Sequence, residues 1–196
     1  MDQADTEHKY YTDRLLALDT RLKRLLGVQL PYRLYLQRLR LGFVLDIGCG
    51  IGRNLLNLKG SGVGVDHNPH SVSVARSRDL IAYTPDEFLD TNFAREAAFD
   101  TILISHVLEH MKRDEAIALV KQYLPFLKNG GRVLIITPQE RGFGSDATHV
   151  EFMDFGAHLA IAATVGLSVE KFYSFPFPRI FGSVFKYNEF VTIACK

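Results

Sequence analysis

Three groups of residues carry types and spacings that can do chemistry. In FVLDIGCGIGRN, residues 43–54, Asp46 stands two positions before glycines at every second place, Gly48, Gly50 and Gly52. Three missing side chains in one turn allow positive φ and let another molecule lie directly against the backbone. Asp66 closes GVGVD twenty positions after Asp46, and an acid there can hold the hydroxyls of a sugar. The second group is HVLEH, residues 106–110, which matches HxxEH, a pattern whose histidines can bind zinc beside a catalytic glutamate. The third is His149 in DATHVEF, an imidazole of the kind that ordinarily titrates near neutral pH and so can take a proton from a substrate.

The composition limits what these groups can serve. With 196 residues and 47% hydrophobic content the chain supports one core and one domain. Twenty-three basic against twenty-two acidic residues leave a formal charge of +1, so no global field draws it to nucleic acid or to a membrane. Its first residues, MDQADTEHKYY, are polar and acidic, and no apolar run approaches the ~20 residues of a membrane span. A cytoplasmic protein without a membrane span is expected. Cys49 and Cys195 are the two cysteines; they form neither a disulfide framework nor a CxxC metal pair, and reduced thiols are expected.

The elements that must position these residues can be read from period and punctuation. Leucines 15, 18, 22 and 25 predict a helix from Thr12 to about Leu26, ended by Gly27 and Pro31, with a second short segment YRLYLQRLR after it. Seven basic residues between Arg14 and Arg40 face the single acid Asp19, which makes this part either a solvated face or a lid that meets an anionic partner. Strand, glycine turn and helix follow at 43–59, closed by Gly60. A second strand ends at Asp66, with Pro69 blocking further pairing; a helix at 70–79, a third strand at 80–83 and a fourth, FDTILIS, at 99–105 come next. A helix is predicted over Met111–Leu127, stopped by Asn129, Gly130 and Gly131, then a fifth strand at 132–138, a polar loop at 140–148, a helix at 152–165 and an antiparallel strand pair at 167–175 and 189–194. The expected fold is α/β, a Rossmann-like doubly wound sheet of seven strands, mostly parallel with an antiparallel last strand, helices on both faces. The single domain divides into an N-terminal helical lid at 1–40, a cofactor-binding core at 41–139 and a substrate-facing part at 140–196.

A glycine turn with an acid after the next strand suits two ligand classes, dinucleotides and S-adenosyl-L-methionine. Three features separate them. The spacing is GxGxG where a dinucleotide site needs GxGxxG, and the bulky Arg53 stands where the third glycine would pack. Asp46 places a fixed negative charge beside the turn, which opposes a pyrophosphate and attracts a sulfonium and an ammonium group. The residues therefore favour the methyl donor.

VLDIGCGIGRN with GVGVDHN, then FDTILISHVLEHM, then LKNGGRVLIITP, resembles the ordered motif series of the class I S-adenosyl-methionine-dependent methyltransferases over about residues 40–140. DATHVEF, the helix after it, Gly166 and the terminal strands resemble the C-terminal part of the small-molecule branch. The resemblance implies that Asp46, Gly48, Cys49 and Gly50 line the methionine end, that Asp66 holds the ribose with His67 beside the adenine, and that Asp90, after Leu89, aligns with an adenine-contacting segment. Ser105 and His106 are expected to close the other side of the methionyl group, and Cys49 to fill space without acting as a nucleophile.

Against zinc, His106 directly follows a buried strand, so it belongs to a turn before the helix, and HVLEH specifies no third ligand. No metal is expected; zinc hydrolysis is the remote alternative. Glu109 and His110 are expected to begin the helix, the acid at its positive end. His149 is read either as an ordinary loop histidine or as the catalytic base for a hydroxyl acceptor, with Asp146 as a partner for its ring, and Tyr10 and Tyr11 either as packing or as a cap on the site. Arg179, Lys186, Tyr187 and the basic stretch suggest a small-molecule or glycan acceptor carrying negative charge or hydroxyls, with no nucleic acid partner. The expected activity is O-methylation, with N-methylation of a small amine, or donor binding without catalysis, as alternatives; the sequence leaves the oligomeric state open.

Overall fold

The computed structural model describes Thr12, Asp13 and residues 30–196. The predicted leucine helix, Tyr10, Tyr11 and most of the basic stretch lie outside the described residues. Two compact units are present, Met1–Ala94 and Arg95–Lys196.

The first unit contains α1 (Leu30–Arg38), β1 (Val44–Ile47), α2 (Arg53–Asn57), β2 (Gly62–Val65), α3 (Pro69–Arg76), β3 (Ala82–Tyr83) and α4 (Pro85–Leu89). All four residues of β1 and of β2 are buried, as strands covered on both faces must be, and β1–β2 and β2–β3 pair in parallel. Prolines begin helices here. Pro31 is the second residue of α1, where a missing N–H leaves nothing unpaired, so it opens α1. Pro69 likewise follows the N-cap Asn68, whose side chain accepts from the N–H groups of His70 and Ser71 at 3.0 and 3.2 Å. Arg33, Arg38 and Arg40 are exposed and Leu36 is fully buried, so the described part of the basic stretch is a solvated face. Thr12 is buried and shares a 2.8 Å hydrogen bond with the Ser71 hydroxyl on α3.

The second unit contains β4 (Phe99–Ser105), α5 (Arg113–Tyr123), β5 (Leu127–Pro138), α6 (Glu140–Phe143), α7 (Phe155–Thr164), β6 (Ser168–Phe175) and β7 (Glu189–Cys195). Single 3-10 turns occupy Leu108–His110, Leu124–Phe126 and Arg179–Ser183. The seven strands follow the order β3-β2-β1-β4-β5-β7-β6. β5 lies parallel to β4 and antiparallel to β7, which is antiparallel to β6. The antiparallel last strand is as expected, and it is inserted between β5 and β6: Glu189–Ala194 are all buried, whereas β6 at the edge is half exposed.

Two boundaries differ from expectation. α5 ends at Tyr123, because Pro125 has no N–H to continue it. Asn129, Gly130 and Gly131 therefore do not stop a helix. They lie inside β5, where Gly130 adopts φ 72° and donates to the Lys196 carbonyl at 3.2 Å. The polar stretch after β5 contains α6, ended at Gly144.

α7 is tied to the sheet by a buried histidine. The Thr137 hydroxyl donates to the Met153 carbonyl at 2.6 Å, so it can only accept from His158 Nε2–H at 3.0 Å; Nδ1 then accepts from the Thr192 hydroxyl at 2.9 Å. Burial, opposed weakly by Glu109 and Asp154, pushes this imidazole from 6.5 down to about 4. The unfolded chain binds a proton between those values and the folded chain does not, so stability should be complete above about pH 6.5 and fall as pH drops towards 4. The loss is at most about 3 kcal/mol. Urea unfolding between pH 6.5 and 4.5 should show this slope for the native chain and a smaller one for His158→Gln.

Candidate functional site

In the first unit the functional groups gather where β1 and β2 end. Gly48, Gly50 and Gly52 have φ of 68°, 52° and 79°, the left-handed region that glycine enters without strain. A Cβ at Gly52 would also lie 2.3 Å from Leu80 Cδ1. The N–H groups of Gly48 and Cys49 both donate to the Val65 carbonyl, at 2.8 and 3.1 Å. Gly50 N–H donates to Asp66 Oδ2 at 2.7 Å, and Asn68 N–H to Asp66 Oδ1 at 2.9 Å. Asp66 thus holds the turn itself in shape, while each of its oxygens retains a second lone pair for a ligand. His67 is exposed, with Nδ1 3.8 Å from Asp66 Oδ1. Asp90 is exposed at the C-cap of α4, its N–H donating to the Glu87 carbonyl.

Asp46 is fully buried. Asn54 Nδ2 donates to its Oδ1 at 3.3 Å, and among the described residues Oδ2 has no hydrogen-bond partner. Burial pushes this carboxyl up to about 7, against the bond from Asn54 and with the repulsion of Asp66 added. The expected fixed negative charge is therefore conditional: near neutral pH the group is poised to ionise, and a neighbouring cation would complete the ionisation. Asn54 went unassigned in the sequence, although its place in the first turn of α2 puts it above the end of β1. Cys49 is 6% exposed and packs with Leu55, Val72, Ala75, Leu80 and Ala82. Burial, with Asp46 and Asp66 nearby, raises its thiol well above 9.0, in keeping with a space-filling role.

In the second unit β4 ends at Ser105, which is buried, and the chain turns at His106 with φ 58° while its N–H donates to the Ile136 carbonyl at 2.9 Å. His106 lies in a turn, as expected. Glu109 and His110 do not begin α5; they form the 3-10 turn Leu108–His110, and the helix starts at Arg113 with Glu115 closing a capping box on Lys112. Glu109 is fully buried, a role that the dipole argument missed. Its carbonyl accepts from Val150 and Glu151 N–H at 2.7 and 3.3 Å, which draws the 149 loop against the motif. His149 Nδ1 lies 2.7 Å from the Phe143 carbonyl, and its ring stacks on Phe143 and meets His110 edge-on with centroids 4.9 Å apart. The Phe143 carbonyl orients this ring, while Asp146 Oδ1 accepts from the Thr148 N–H and hydroxyl at 3.1 and 2.8 Å.

Charge is concentrated in this turn. His106 Nε2 is 2.8 Å from Glu189 Oε1 and its Nδ1 is 3.3 Å from Glu109 Oε1. Burial opposes the imidazolium, but the Glu189 and Glu109 carboxylates outweigh it and raise the group to about 10. The ring is 44% exposed, so water assists the same charged form. Burial raises the Glu109 carboxyl less than His106 and then His110 lower it, leaving it below its ordinary value. Burial, with help from His149, lowers His110 despite Glu109. Glu189, eighty-three residues from His106, had no signal in the sequence. Arg179, expected to meet an acceptor, is instead paired with both oxygens of Glu140, one at 2.9 Å, and covers the Phe190 ring at 4.8 Å.

With this geometry in hand, comparison with known proteins gives the family. A profile described as methyltransferase domain matches residues 13–169, and the chain belongs to that family. Its fold is that of the class I S-adenosyl-methionine-dependent methyltransferases. A SAM-dependent methyltransferase from Archaeoglobus fulgidus aligns over 89% of this chain and 97% of its own, at 20% identity and TM-score 0.68. Magnesium protoporphyrin IX methyltransferase from Synechocystis PCC 6803, with bound SAH, aligns over 98% and 97% at 15% identity and TM-score 0.67. A protein pelota homolog of Aeropyrum pernix is 35% identical over 89 residues, 45% of this chain, and this chain spans 23% of that protein's length. Among the described residues no helix is long and apolar enough to cross a membrane.

The packing of Cys49 is open to a direct check. In a Cys195→Ser variant at pH 8, a disulfide reagent such as DTNB should find no rapidly reacting thiol in the folded chain and one after denaturation.

Proposed function

We propose that this chain binds S-adenosyl-L-methionine at the ends of β1 and β2 and transfers its methyl group to an oxygen of a small molecule. The observation that supports the donor most is Asp46, a buried carboxylate with an unpartnered oxygen beside a turn made bare by three glycines. Such a group repels a pyrophosphate and is completed by a sulfonium or ammonium cation. Asp66 would use its remaining lone pairs for the ribose hydroxyls, with Gly48, Cys49 and Gly50 supplying backbone beside the methionine end and His67 and Asp90 near the adenine.

Residues 140–196 would face the acceptor. Phe177, Ile180, Phe181, Val184 and Tyr187 are exposed on the segment between β6 and β7, which favours an acceptor with apolar surface. The acceptor oxygen forms a bond to the methyl carbon as the carbon–sulfur bond breaks, the sulfonium becomes a thioether, and the hydroxyl proton must leave. His149 is the group we assign to that proton. Since the Phe143 carbonyl can only accept, Nδ1 carries the hydrogen and Nε2 offers a lone pair. His106, held as an imidazolium, has none to offer.

Calorimetry and turnover test the two halves. Donor affinity should weaken as pH falls below about 7, by up to about tenfold per unit, because protonated Asp46 cannot meet the cation; Asp46→Asn should bind weakly and lose that dependence. His149→Ala should lower the methyl-transfer rate by about 100-fold or more while leaving donor affinity within about twofold. A screen of acceptor pools with labelled donor identifies the substrate; donor binding with no transfer to any pool would favour a non-catalytic binding protein.

A further inference from the structure

The HxxEH spacing offers two histidine ligands, and the structure brings a different set together. Glu109, His110 and His149 each present one ligand atom, and the three atoms lie within 4.8 Å of one another. Both imidazoles are oriented by backbone carbonyls. His149 Nδ1 meets the Phe143 carbonyl at 2.7 Å, and His110 Nδ1 meets the Thr148 carbonyl and hydroxyl, each at 3.2 Å. Hydrogens on Nδ1 leave both Nε2 lone pairs for another partner, the way ligating histidines are ordinarily held. The third group is anomalous as protein alone: Glu109 is fully buried, and among the described residues neither carboxylate oxygen has a hydrogen-bond partner. His106 gives it an ion-pair contact at 3.3 Å but is shared with Glu189 at 2.8 Å. A buried carboxylate with neither oxygen hydrogen-bonded calls for a cation.

The geometry points to a divalent transition-metal site formed by Glu109, His110 and His149. Two imidazole nitrogens and one carboxylate oxygen are the donor set of zinc sites that keep a fourth position open. The role of this site rests on the methyl-transfer reading, while its existence does not. An acceptor hydroxyl in the open position would be acidified by the ion and release its proton to water, leaving an oxygen nucleophile for the methyl carbon. In the loaded chain His149 acts on the acceptor through the ion, its Nε2 lone pair being a ligand and no longer a free base. Acceptors with two neighbouring oxygens, able to chelate, are then favoured.

The test is zinc binding to the untagged full chain, stripped by chelator, in the absence of any methyl donor. Calorimetry should give one equivalent with micromolar or tighter affinity, and Glu109→Gln and His149→Ala should each weaken it at least 100-fold with an unchanged circular dichroism spectrum. Cobalt substitution gives a second readout on the native chain: a d–d spectrum of four-coordinate intensity, with the ring signals of His110 and His149 shifted by the paramagnetic ion. Absence of stoichiometric binding, or binding that survives both substitutions, or cobalt that shifts other histidines, would overturn the assignment. If zinc binds as stated but donor calorimetry is silent, the metal site stands and the methyl-transfer reading falls. If both bind, chelator should abolish transfer and added zinc restore it.

Discussion

A carboxylate sealed from water without its full complement of hydrogen bonds is the constraint on which this molecule turns. Among the described residues Glu189 on β7 has one such oxygen, and two turns carry the others: Asp46 at the end of β1 and Glu109 after the end of β4. In each case a parallel strand buried on both faces delivers the chain to a short turn and leaves an acid where apolar packing would be more stable. Removing charge from water is expensive, and the two sites meet the expense differently. Burial shifts the titration of Asp46 to about 7, and the bond from Asn54 opposes that shift only in part. Glu109 stays ionised because His106 and His110 surround it.

The surrounding architecture can be understood as support for those two turns. Gly50 N–H on Asp66 and the Val65 carbonyl on Gly48 and Cys49 lock the first turn to the next strand. The Glu109 carbonyl holds the backbone at 150 and 151, and the Phe143 and Thr148 carbonyls aim the rings of His149 and His110. Short α6 therefore has a clear purpose: it ends so that the Phe143 ring and carbonyl both meet His149. His158, far more buried and kept neutral, belongs to a separate task, fastening α7 between β5 and β7.

Much of the fold was legible because its signals are local. FDTILIS reads as a strand buried on both faces and is one, and the GxGxG turn requires positive φ at every glycine and has it. Pro69 stands where a strand was expected to end before it and a helix to follow, and behind the cap Asn68 it opens α3. An error arose where one residue type has two uses. The NGG stretch can cap a helix or bend a strand, and the carbonyl of Lys196 decided for the strand.

The sequence by itself determined the glycine turn and its two acids, since Asp46, three glycines and Asp66 lie within twenty-one positions, and GxGxG spacing, Arg53 and Asp46 together set the turn apart from a dinucleotide fingerprint. It also determined that His106 sits in a turn, because a strand buried on both faces had to end there. Only the tertiary structure decided which groups the histidines meet. Glu189, Thr148 and His149 reach HVLEH from about forty to eighty residues away, through a carbonyl hydrogen bond, ion pairs and a ring contact that leave no periodic trace. Burial made the same decision for Glu109. In the sequence it is an acid near a helix start; in the fold it is a carboxylate shut away from water beside His106.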